Sequence, residues 1–83
     1  MSDPASESGE RPRFEAAFLT DEYEWEVGFS ASGVEPAKAA ARKALEDLVA
    51  AEAPTLACVT LLERGVKLGV WDWVEGQAHW SPL

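Results

Sequence analysis

The sequence predicts an α+β fold of two layers, in the order strand, strand, helix, strand, strand, with the one helix packed on an antiparallel or mixed sheet. Three observations carry that expectation. Tyr23–Ser30 alternates cleanly between apolar and polar or small residues, the period of a half-buried strand. Ala40, Ala41, Ala44, Leu45, Leu48 and Val49 recur at helical spacing. Two later runs rich in Val, Leu and Trp are separated only by Arg64-Gly65, a short hairpin connection.

Each element follows from its own residues. Phe14–Leu19 reads as a strand with Phe14, Ala16 and Phe18 on one face, and the polar Thr20-Asp21-Glu22 turns the chain. Tyr23, Trp25, Val27 and Phe29 then share one face of the second strand, while Glu24, Glu26, Gly28 and Ser30 share the other. Ser30-Ala31-Ser32-Gly33 breaks the alternation. The helix is expected over about 36–52: Pro36 suits a first turn, where its missing N–H costs nothing, and Pro54 closes the far end, because the residue before a proline avoids helical geometry. Thr55–Leu62 and Val66–Val74 form a second hairpin. Glu75-Gly76 is a further turn signal, after which Gln77–Trp80 either adds a short strand or folds over an edge.

The chain has 83 residues, of which 47% are hydrophobic. That is one domain, since domains run to roughly 100–200 residues. Residues 13–83 are expected to fold as this unit. Residues 1–12, rich in Ser, Pro, Gly and acids, lack the apolar surface to offset ordering entropy and read as a disordered tail.

Fifteen acids against seven bases leave a net charge of −8. A general phosphate-backbone binder carries the opposite balance, so nucleic acid is a disfavoured partner. One cysteine excludes an intramolecular disulfide, and one His with one Cys cannot complete a zinc site. No cofactor or metal is expected. There is no apolar run of about 18 residues for a membrane span and no signal-peptide h-region. The expectation is a soluble, cytoplasmic protein with no membrane partner.

Chemistry-bearing residues are sparse. Cys58 and His79 are the one nucleophile–base pair, but an apolar strand raises a thiol pKa rather than lowering it. No convergent acid, base and nucleophile set exists, so the chain is expected not to be an enzyme. Glu15, Asp21, Glu22, Glu24 and Glu26 crowd the first hairpin against Arg13 alone. They form an acidic surface, with Glu24 and Glu26 about 7 Å apart on one strand face. On the helix, Lys38, Arg42 and Lys43 precede Glu46, Asp47 and Glu52, the reverse of what the macrodipole prefers.

A regular two-residue turn at Arg64-Gly65 pairs Leu61 with Leu68, Val59 with Val70, Ala57 with Asp72 and Thr55 with Val74. The face away from the helix then holds Leu56, Cys58, Thr60 and Leu62 beside Lys67, Gly69, Trp71 and Trp73. A slip or bulge would reverse that assignment for the tryptophans. Exposed apolar surface marks partner sites, and Trp is enriched among binding hot spots. Trp71, Trp73, Leu56, Leu62 and Lys67 are therefore the expected partner-binding residues.

The strand pair, the Gly/Ser break and the helix motif Ala40-Ala41-Arg42-Lys43-Ala44-Leu45 together resemble the C-terminal half of a double-stranded-RNA-binding domain. The resemblance extends to Phe14 and the strand around Trp25 and Val27. It implies ancestry in a duplex-RNA-binding fold. The sequence departs where that family grips phosphates: its basic cluster at the helix start is replaced here by Gly33, Val34, Glu35, Pro36 and Ala37. The family's first helix has no room before Phe14, and two strands follow the helix where that domain should end.

The function expected from sequence is a small, acidic, regulatory or protein-interaction domain that binds a protein partner, or itself as a homo-oligomer, through an aromatic sheet face. An acidic decoy of a nucleic-acid-binding protein is the alternative, beside a degenerate double-stranded-RNA-binding-like domain.

Overall fold

The computed structural model describes residues 12–83, so the tail expected over 1–12 lies outside the described residues but for Pro12. The elements are β1 (Phe14–Thr20), β2 (Glu24–Phe29), α1 (Val34–Glu52), β3 (Ala57–Glu63), β4 (Val66–Val74) and β5 (Gln77–Pro82). The strands form one sheet ordered β2-β1-β3-β4-β5, and every neighbouring pair is antiparallel. With α1 on one face, this is the two-layer α+β fold expected. The segment after Glu75-Gly76 takes the strand option and closes the sheet as β5.

The core lies between α1 and the sheet centre. Phe14, Ala16 and Phe18 of β1 and Ala57, Val59 and Leu61 of β3 meet Ala37, Ala41 and Leu45 of α1, all buried. The alanines let the helix backbone approach the sheet closely. Arg64-Gly65 and Glu75-Gly76 both have positive φ at each central residue, the mirror-image turn whose twist matches antiparallel strands.

The helix ends are set by backbone rather than side chains. Gly33 caps the start in extended geometry with no side-chain bond, and its carbonyl accepts from the Ala37 N–H at 3.1 Å. Ala53 ends α1 in the left-handed region (φ 46°), its N–H bonded to the Val49 carbonyl at 2.8 Å. Arg42–Glu46 (3.1 Å) and Lys43–Asp47 (3.2 Å) pair along the exposed helix surface, worth about 0.2–0.5 kcal/mol each.

The β3–β4 register differs from the regular one. Glu63↔Val66 and Leu62↔Lys67 hold, but the pairing then shifts to Leu61↔Gly69, Thr60↔Val70, Val59↔Trp71 and Cys58↔Asp72. Leu68 is the extra residue of a β-bulge, and its carbonyl accepts a hydrogen bond from the Leu83 N–H (3.2 Å). The bulge turns the rest of β4 over. Trp71 and Trp73, expected on the uncovered face, lie on the helix side with Val59 and pack against the core. Asp72, expected there, points to the open face.

Trp71 donates its indole N–H to the Lys38 carbonyl of α1 at 3.0 Å. Trp80 of β5 pairs with Trp71 and tilts against it at 5.2 Å. Its ring lies over Gly69, where a Cβ would collide with Trp80 Cζ2 and sit 2.8 Å from the Ser81 carbonyl oxygen. Lys38 caps the Trp80 ring at 4.6 Å and Arg42 lies over Trp71 at 5.5 Å. The helix cations are thus held on indole faces or paired with Glu46 and Asp47.

Two substitutions of opposite sign test these constraints. Gly69→Ala forces Trp80 and β5 to move, and overpacking of this kind costs about 1–3 kcal/mol. Ala53→Gly relieves the left-handed cap and gains up to about 1 kcal/mol. Urea denaturation followed by tryptophan fluorescence reads both, and equal stability of the two variants would refute this account.

Candidate interface at the uncovered edge strand

The register shift changes which side chains occupy the face away from α1. Leu62 and Lys67 pair there as expected, half-buried and exposed respectively. Leu56 precedes β3 and is 50% exposed, with its backbone N–H bonded to Asp21. Without Trp71 and Trp73 no aromatic platform joins these residues. The face carries Glu15, Glu24, Glu26, Asp72 and His79 among smaller apolar side chains, the mixture expected of a solvated sheet face.

Cys58, Asp72 and His79 form one row across β3, β4 and β5 on this face. Asp72 stands between the other two, so thiol and imidazole are two strand spacings apart, about 9–10 Å. That exceeds proton-transfer reach. Burial, and secondarily the Asp72 carboxylate, raise the Cys58 pKa, which keeps the thiol protonated and weakly nucleophilic. Among the described residues no group of three His, Cys, Asp or Glu is placed to hold a metal ion.

The acidic residues divide by role. Glu24 and Glu26 are exposed and point the same way from β2, opposite Leu19 and Ala17. Glu15 shares that face. Asp21 is exposed too and has a structural role besides: its Oδ1 accepts from the N–H groups of Thr55 (3.1 Å) and Leu56 (3.3 Å), stapling the β1–β2 turn to the start of β3. Tyr23 donates to Glu52 at 2.7 Å, an acceptor that raises the phenol pKa and ties the same turn to the end of α1.

The surface that composition did not reveal lies on the helix side. The backbone of α1 lies close to β1, β3, β4 and β5 but not to β2. Between them runs a groove of about 240 Å³ lined by Ala16, Phe18, Val27, Phe29, Ala40, Ala41 and Ala44. Every lining residue is apolar, and Val27 on its rim is 46% exposed. Large aromatic side chains hold β2 in place: Trp25 stacks on Phe18 at 5.0 Å and Phe29 on Phe14 at 5.9 Å. The stripe of small residues at 40, 41 and 44 was legible in the sequence, but not that the helix would stop short of the second strand.

β2 is also a sheet edge. Thr20 N–H donates to the Tyr23 carbonyl, and antiparallel pairing alternates from there. Tyr23, Trp25, Val27 and Phe29 therefore turn their backbone groups toward β1, while Glu24, Glu26 and Gly28 turn theirs outward. The opposite edge, β5, ends at Pro82, which has no N–H to offer. No helix among the described residues is long and apolar enough to cross a membrane.

No protein-family model, no curated protein and no solved structure matches this chain, so the groove and its edge are read from their own chemistry.

The Cys58 environment sets a pH dependence. Deprotonation creates an anion that burial and Asp72 both disfavour, so alkylation by iodoacetamide should rise with pH through a midpoint above that of a free thiol. Asp72→Asn should lower the midpoint without restoring the free-thiol value. Mass-spectrometric rates across pH give both, and fast alkylation at neutral pH would contradict the geometry.

Proposed function

We propose that this chain is a non-enzymatic protein-interaction domain whose partner docks on the groove between α1 and β2. One observation carries this reading: a wholly apolar groove lies open beside an edge strand, because the helix backbone lies over the other four strands and not over β2. Exposed apolar surface of this kind marks a partner site. The role first given to Trp71 and Trp73 as docking anchors passes to Val27, Phe29 and the Ala40/Ala44 wall. The tryptophans instead hold the helix that forms one side of the groove.

A second reading is supported by Glu15, Glu24 and Glu26 sharing the opposite face at the same edge. There the chain is an acidic decoy that occupies a nucleic-acid-binding protein. Its binding would fall steeply with salt and ignore the groove.

Capture of partners from host lysate, after nuclease treatment, separates the two. Val27→Thr makes the rim polar with a strand-compatible residue of the same size, and Ala40→Gln narrows the groove from an exposed helix position. Recovery of the specific protein partner should drop about tenfold or more, a change of about 1.4 kcal/mol. Glu24→Gln with Glu26→Gln should do so instead if the decoy reading holds. RNA that co-purifies until nuclease is added would overturn both and support the double-stranded-RNA-binding resemblance.

A further inference from the structure

The groove and the edge beside it are read differently by an incoming chain, and together they specify its chemistry. A strand added to β2 bonds to the outward N–H and C=O groups of Glu24, Glu26 and Gly28. Its side chains alternate between the two faces of the sheet. Those on the helix side enter the groove beside Val27 and Phe29, where every neighbour is apolar. Those on the other side stand next to Glu24 and Glu26, both exposed. At the far end the open face above Gly28 is taken by Pro12, which lies where a side chain at 28 would project. Side-chain recognition on the open face is therefore confined to the two glutamates.

We propose, on the footing of the interaction reading above, that the partner is an extended peptide segment alternating basic and apolar residues, added to β2 as a sixth strand. Charge decides against the other occupants. A second copy pairing through β2 would bring Glu24 and Glu26 of both chains together on one face, and like charges across a strand pair are destabilising. The chain's net charge of −8 adds long-range repulsion between copies. The acidic segment of this chain that precedes Pro12 carries the wrong sign in the same way. Against a Lys- or Arg-bearing strand, the same two carboxylates become attractive. They also set the strand's polarity of faces, because a one-residue slip would put cations in the groove and apolar side chains against carboxylates.

The test uses the full chain, isotopically labelled, with a short soluble peptide alternating Lys and Val. At a peptide concentration about ten times Kd, hydrogen exchange of the Glu24, Glu26 and Gly28 amides should slow about tenfold. Amides at Trp25 and Val27, already bonded to β1, should change less. A peptide of the same composition with its lysines and valines in separate blocks, one alternating Glu and Val, and one N-methylated along its bonding edge should each fail to protect them. Equal binding of the block peptide would reduce the interaction to net charge and overturn the proposal, as would binding without amide protection. Protection already present without peptide, with a dimer in sedimentation, would assign the edge to a second copy and also overturn it. The groove variants Val27→Thr and Ala40→Gln separate this from the underlying reading. If they abolish partner capture while the alternating peptide does not bind, the groove stands and the strand-addition chemistry falls. If capture ignores them too, the groove itself is not the site.

Discussion

The fold depends on one extra residue in β4. Without the bulge at Leu68, a regular hairpin would press Val70 and Asp72 under the helix and leave Trp71 and Trp73 in water. An ionised carboxylate pressed between helix and sheet would face a desolvation cost of several kcal/mol. Each tryptophan left outside would forgo burial of about 150–250 Å², or about 4–6 kcal/mol at 25 cal/mol per Å² for complete burial. A lost ladder position is small beside either term. The bulge therefore settles which residues meet α1. Gly69, the next position, has no side chain, and the Trp80 ring occupies the space.

From that packing follows the placement of the helix. Trp71 anchors α1 through the Lys38 carbonyl, and Lys38 and Arg42 close over the two indoles, drawing the first half of the helix toward β4 and β5. On that side Trp71 and Trp80 fill the space beside α1, while toward β2 the helix presents only Ala40 and Ala44 and its backbone does not come close to the strand. The apolar groove is the complement of the tryptophan cluster. Toward β4 and β5 the helix meets indoles, and toward β2 its alanines face a gap floored by Phe18 and Phe29.

Most of the fold was legible because its signals are local. The alternation of Tyr23–Ser30, the helical stripe ending before Pro54, and the two Xaa-Gly turns each fix an element within their own residues, and the structure has all of them. Face assignment across a hairpin is not local in that sense: it integrates the register from the turn outward, and a single extra residue inverts everything beyond it. A signal was present in Trp71-Asp72-Trp73, since alternation around a charged residue places the carboxylate in solvent and its neighbours inside, against the register taken from the turn. Among the site residues, Leu62, Lys67, Glu24 and Glu26 kept the faces inferred for them. That the exposed Asp21 also bonds the backbone of Thr55 and Leu56 was not legible, because those partners are far away in sequence. The reach of the helix depended on the packing of side chains from β4 and β5, which no segment near β2 records.

The stapled turn at Asp21 and Tyr23 bears on how such a chain assembles. β3, β4 and β5 are a meander whose contacts close over two-residue turns, and β1 and β2 are a second local hairpin. Within the sheet the β1–β3 pairing joins them, and it must close a loop containing β2, the whole helix and both its flanking connections. Loop closure of that length carries the main entropic barrier, and sequence-distant pairings of this kind slow folding. The Asp21 carboxylate and the Tyr23–Glu52 bond act at the mouth of that loop, beside the Thr20–Ala57 end of the β1–β3 ladder. They therefore hold that long-range seam in register at the end where the loop closes.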